Sequence, residues 1–123
     1  MITAENFIFL RTSVGFSRIS TSQAQVAINN SDFIITANIE NNIVGMARLM
    51  TDGLQVLIMD VIVYPDYQGM GIGRGLMEHI MTYIKTMTCD GNQIRINLIT
   101  NDGKTGFYEK FGFHKAAGML LKV

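Results

Sequence analysis

At 123 residues, 48% of them apolar, the chain is the size of one domain with material for a core of its own, neither disordered nor dependent on staples. Ten basic residues balance ten acidic ones without a run of like charge. That excludes the basic stripe of a nucleic-acid-binding protein, where phosphate contacts dominate affinity.

The first residues carry no basic stretch, apolar run and small-residue cleavage site in succession, and no apolar run approaches the ~20 residues that cross a bilayer. A cytoplasmic setting without a membrane partner is expected. Phe7 to Leu10 reads as a short first strand, and Ser13 to Asn30 as weakly helical. From Asp32 the pattern sharpens. Phe33 to Glu40 alternates as a strand, Asn41-Asn42 is a hairpin turn, and Ile43 to Met50 is the next strand. After a turn at Asp52-Gly53, Leu54 to Val63 reads as a long, largely buried strand. These three strands are consecutive and antiparallel.

Pro65 closes the third strand and a glycine-rich turn follows. Ile72, Leu76, Met77, Ile80, Ile84 and Met87 then recur at helical spacing, up to the break at Asp90-Gly91-Asn92. Cys89, the one cysteine, reads as a packing residue at that helix end. With only two histidines besides, it leaves no disulfide framework and no metal site. Ile94, Ile96 and Leu98 alternate in another strand. Asn101 or Asp102 caps a short helix that stops at Gly112, and Phe113 to Val123 reads as a final strand or hairpin. The expected order is β–α–β3–α–β–α–β over residues 1–123. That is a mixed α/β, three-layer sandwich with a sheet between helices.

The most specific stretch is Gln68-Gly69-Met70-Gly71-Ile72-Gly73-Arg74-Gly75. A glycine turn that feeds a helix aims several unpaired N–H groups, and the positive end of the helix dipole, at one point. Strand, glycine turn and helix together predict a pyrophosphate site. Two common phosphate loops do not fit. A dinucleotide G-x-G-x-x-G would need glycine at Leu76 or Arg74, and no Gly-Lys-Ser/Thr follows for a P-loop. The segment instead resembles the Gln/Arg-x-x-Gly-x-Gly/Ala signature of the GCN5-related N-acetyltransferase (GNAT) superfamily, through Gln68, Gly71 and Gly73. The strand before it, Asp60 to Tyr67, is similar to the family's Val-x-Pro-x-Tyr lead-in. A second match is Asn101 through Phe113, which resembles the family's Asn-x-x-Ala-x-x-Phe-Tyr-x-x-x-Gly-Phe segment in Asn101, Phe107, Tyr108, Gly112 and Phe113. Lys104 departs from it where alanine is usual, and its long stem is expected to swing out to solvent.

The resemblance implies a three-layer mixed-sheet sandwich of the acyl-CoA N-acyltransferase type and direct transfer of acetyl from acetyl-CoA to an amine, with no metal. It implies that backbone N–H groups from Gly69, Met70, Gly71, Ile72, Gly73 and Arg74 hold the diphosphate, next to Gln68. It places a carbonyl-polarising backbone N–H near Val61, where the family's strand bulges and splays from its neighbour. Val63 would bond the pantetheine arm through its backbone, and Asn101 through its side chain. Tyr108 matches the general acid that protonates the leaving thiolate, with packing at a helix end as the plainer alternative. Asp60, the only carboxylate in the long strand, is the candidate base or amine anchor, unless alternation turns it to the opposite face to hold a loop. The expected acceptor is the primary amine of a small molecule. The alternatives are a protein or peptide amine, or a non-catalytic acyl-CoA-binding module. A charged fraction of only 16% and the apolar segment Ala116 to Leu121 lead to the expectation of a homodimer.

Overall fold

In the computed structural model, which describes residues 1–123, the Thr3 hydroxyl accepts the Asn6 N–H at 3.1 Å. That contact caps the first helix, α1 (Ala4–Ser13). Ser20 does the same for α2 (Thr21–Asn29) by accepting from the Gln23 N–H. Within α1, Ala4, Phe7 and Ile8 are buried and Phe9 is exposed, a helical i, i+3, i+4 spacing. The expected first strand at Phe7 to Leu10 is therefore a helix. Four adjacent apolar residues carry no period of their own, and the cap at Thr3 decides between the two structures.

The sheet has four strands in sequence order, β1 (Phe33–Ile39), β2 (Asn42–Thr51), β3 (Gln55–Val63) and β4 (Arg95–Leu98). The first two pairings are antiparallel and the third is parallel. The β1–β2 loop is Glu40-Asn41, one residue earlier than expected, with φ of 51° and 69° at the two positions. A tight hairpin requires such left-handed backbone. At the β2–β3 turn the Asp52 carboxylate accepts the N–H groups of Leu54 and Gln55 at 2.9 Å. The crossover from β3 to β4 is carried by α3 (Ile72–Lys85), and α4 (Thr105–Glu109) follows β4.

The core lies on both faces of the sheet. On one, α1 and α2 pack against Met46 and Ile62. On the other, α3 and Tyr108 of α4 pack against Ala47, Leu49, Val56 and Ile58. This is the expected three-layer arrangement, with the element order α–α–β–β–β–α–β–α. Phe113 to Val123 forms no strand. From His114 onward every residue is exposed and none joins a backbone–backbone hydrogen bond. An apolar segment becomes a strand only when a ladder partner satisfies its backbone. No helix is long and apolar enough to cross a membrane.

Candidate active site

The register between β2 and β3 slips by one residue. Arg48 faces Met59 and Met46 faces Ile62, so Ala47 alone lies opposite both Asp60 and Val61. This is a β-bulge, and Asp60 within it has a φ of 53°. The extra residue inverts the alternation of the strand. Val56 and Ile58 face α3 before the bulge, and Val61 and Val63 face it afterwards.

The β3–β4 ladder stops at Ile58–Leu98, just short of the bulge. From Met59 to Val63 the strand therefore has no partner in β4, and an opening separates the two strands. The Tyr64 N–H donates to the Val44 carbonyl of β2 at 2.7 Å. Alternation then turns the N–H groups of Val63 and Val61 away from β2, toward the opening. The Val63 carbonyl points the same way and accepts the Gln68 side-chain amide at 3.0 Å.

Beyond the opening the chain turns through Gln68 to Gly75. Gly69 and Gly71 hold φ of 80° and 85°, and Gly71 is the N-cap residue immediately before α3. A Cβ at either would meet nothing within 4 Å, so left-handed backbone, not crowding, calls for glycine there. Gly73 differs, because its Cβ would stand 3.6 Å from the Phe107 ring and 3.7 Å from Val63. No side chain caps α3, so the N–H groups of its first turn keep their hydrogen-bonding capacity for an anion. Uncapped donors, two left-handed glycines and open space in front of them fit a diphosphate. Met70 and Arg74 are exposed on this turn, and Arg74 lies 3.9 Å from Glu78.

Tyr108 is 8% exposed and sits edge-on to Phe107 and Phe113. Burial pushes its hydroxyl above the ordinary tyrosine pKa, which keeps the proton on it at neutral pH. It lines a cavity of about 480 Å³ between β4, α4 and the C-terminal segment, together with Ile96, Leu98, Phe113 and His114. Val61, Val63, Ile72, Phe107 and Tyr108 belong to one apolar cluster under α3. Asn101 is exposed at the start of a 3-10 turn with no side-chain capping bond, and Lys104 points to solvent as expected. Cys89 is exposed too, which corrects its reading as a packing residue.

Asp60 is the main correction. Its side chain is 4% exposed and faces α1, where one oxygen accepts from Arg11 Nη1 and the other from Arg48 Nε at 2.7 Å. A carboxylate held this way is an anchor, and it is shielded from any amine acceptor. Arg48 also donates to the Ser31 hydroxyl at 3.1 Å. The two arginines escaped sequence reasoning. Phe7 and Arg11 show their i, i+4 relation only once α1 is known to be a helix, and there the guanidinium lies 5.7 Å from the ring centroid. No group of three or more His, Cys, Asp or Glu residues is placed to hold a metal ion.

A mixed sheet between two helical layers, a bulged strand parting from its neighbour and a glycine turn onto a long helix define a sandwich of the acyl-CoA N-acyltransferase type. The chain belongs to the acetyltransferase (GNAT) domain family, which matches residues 29–115. It is similar to a probable acetyltransferase of unknown function from methicillin-resistant Staphylococcus aureus, with a TM-score of 0.88 and 31% identity over 99% of this chain and 94% of that one. A GNAT family protein from Streptococcus pneumoniae gives a TM-score of 0.78 at 27% identity, over 100% of this chain and 92% of that one. Among curated relatives, the uncharacterized N-acetyltransferase ycf52 of Pyropia yezoensis is 29% identical over 108 residues, 84% of this chain. The match spans 60% of that relative's length.

Proposed function

We propose that the protein transfers the acetyl group of acetyl-CoA directly to the primary amine of a small molecule. The observation that carries this reading is the coincidence of the β3 bulge with the end of the β3–β4 ladder. Strand alternation beyond the bulge then aims the Val61 N–H away from β2, toward the opening before the glycine turn, which supports the reading. When bound, acetyl-CoA supplies the acetyl group as an activated thioester.

The turn from Gly69 to Arg74, flanked by Gln68, binds the diphosphate through backbone N–H groups. The Val63 backbone and the Asn101 carboxamide orient the pantetheine arm. The Val61 N–H donates to the thioester oxygen, which gains negative charge as the amine attacks. Tyr108 gives its proton to the departing thiolate, and solvent takes the proton that the attacking amine nitrogen sheds. Solvent then returns one to the Tyr108 phenolate, so that amide and free thiol are the net products. A small acceptor is favoured by the cavity beside Tyr108, whose size of about 480 Å³ suits a small molecule.

The test is free-thiol release from acetyl-CoA by the purified protein, with arylalkylamines, polyamines, amino sugars, amino acids and lysine peptides offered separately. Turnover with a small amine and none with peptides is the expected result. Turnover with peptides alone would move the acceptor to protein amines. Coenzyme A binding without turnover on any amine would identify a non-catalytic acyl-CoA-binding module.

A further inference from the structure

The bulge decides which backbone donor faces the opening. In an unbulged β3, Val61 would stand opposite Met46, the place that Ile62 takes here. Its N–H would then bond to β2, and the N–H of Asp60, opposite Ala47, would face the opening in its place. The extra residue that prevents this is an aspartate in left-handed backbone, a conformation that costs any residue with a β-carbon and that aspartate, like asparagine, holds with the help of hydrogen bonds to its side chain.

The surroundings of Asp60 supply the restraint. Arg11 comes from α1 and Arg48 from β2, at the pair just before the bulge, and each binds a different carboxylate oxygen. Both guanidiniums lie against the Phe7 ring, at 5.7 Å and 5.4 Å, and Arg11 also covers Phe16 at 4.7 Å. Arg48 is fixed further through Ser31, whose hydroxyl donates to the Ala27 carbonyl of α2 at 2.8 Å. One side chain of the bulge is thus tied to three neighbouring elements.

We infer that Asp60, clamped between Arg11 and Arg48, is a positioning residue for acetyl transfer: it holds the bulge that turns the Val61 N–H toward the thioester carbonyl. The inference rests on the reading that acetyl-CoA occupies the β3–β4 opening. Asp60 reaches the reaction only through the backbone of its neighbour, and it neither gives nor takes a proton.

Three variants test it. Asp60→Ala removes the clamp and disfavours the left-handed backbone. Asp60→Gly removes the clamp but accepts that backbone freely. Asp60→Asn keeps the volume and one accepting oxygen, and stands in should the alanine variant fail to fold. The readouts are coenzyme A affinity by calorimetry, the ¹³C shift of the carbonyl in bound [1-¹³C]acetyl-CoA, and kcat on an amine that the wild type accepts. Asp60→Ala should keep coenzyme A affinity, lose the downfield displacement of the bound carbonyl and lower kcat by about 10²-fold, the usual effect of one removed oxyanion donor. Asp60→Gly should retain most of both the displacement and kcat, and Asp60→Asn should fall between the two. An alanine variant with wild-type displacement and turnover overturns the clamp. A glycine variant as slow as alanine but with the displacement intact overturns it as well, in favour of direct proton transfer. A wild-type protein that does not bind coenzyme A defeats the underlying reading, and the inference with it.

Discussion

Tyr108 shows how a single side chain is prepared by its surroundings. Its ring is wedged between Phe107 and Phe113, and burial raises the pKa of the hydroxyl. A donor that stays protonated well above neutrality suits a thiolate that leaves late. Tyr108→Phe preserves the ring and its packing, so kcat should drop by about 10²–10⁴-fold while coenzyme A affinity holds. Equal kcat for the two proteins, with chemistry limiting, would assign the proton to water. The raised pKa also has a stability consequence. The stabilisation from keeping the phenol neutral is complete below its unfolded value of 10.0 and fades as pH climbs through the folded value. Melting temperatures of wild type and Tyr108→Phe should therefore converge or cross only above about pH 10, with the wild type losing ground.

Among the elements, the glycine turn and α3 were legible because their signals are local. Positive φ selects Gly69 and Gly71, and the apolar period of α3 runs unbroken from Ile72 to Ile84. The same holds for the three antiparallel strands, whose hairpin turns lie within a few residues of what they join. Gly71→Glu should abolish coenzyme A binding, because it puts a β-carbon into left-handed backbone and a negative charge before a diphosphate. Calorimetry on the folded variant reads this directly, and unchanged affinity would move the diphosphate elsewhere. What escaped the sequence depends on distant partners. Phe7 to Leu10 is evenly apolar and takes its helical form from Thr3 and from packing against Met46 and Ile62. The bulge has no local mark, since the bonds that hold the Asp60 carboxylate come from Arg11, 49 residues away, and from Arg48 on the neighbouring strand. The C-terminal segment has the composition of a strand but lacks the neighbour that would make it one.

For the molecule as a whole, the exposed side chains of Met119, Leu120 and Leu121 lie in the segment that borders the same cavity as β4. β4 has one strand neighbour, β3, and stands at the edge of the sheet. Edge strands beside exposed apolar residues commonly pair or become covered. Sedimentation at micromolar concentration should give a dimer, twice the chain mass of 13.7 kDa. Leu121→Lys should shift it toward the monomer. A wild-type monomer at that concentration would refute the homodimer.

The parting of β3 from β4 also divides the molecule by folding history. Strands β1 to β3 form from neighbouring hairpins, whereas β4 returns from beyond α3 and is held by a ladder of four residue pairs. Contacts of long sequence separation form late, and short ladders open first. Amide protons of Arg95, whose N–H donates to the Leu54 carbonyl, and of Asn97, the next residue on the same side, should therefore exchange faster than those of Met46 to Leu49, and coenzyme A should slow them more than it slows the hairpins. Uniform protection across the sheet would contradict this. A cosubstrate seated across that seam would act as a fastener, binding the intact fold and not the opened one. The time for which the fourth strand stays attached, and with it the exposure of the chain to proteolysis, would then follow the supply of acetyl-CoA.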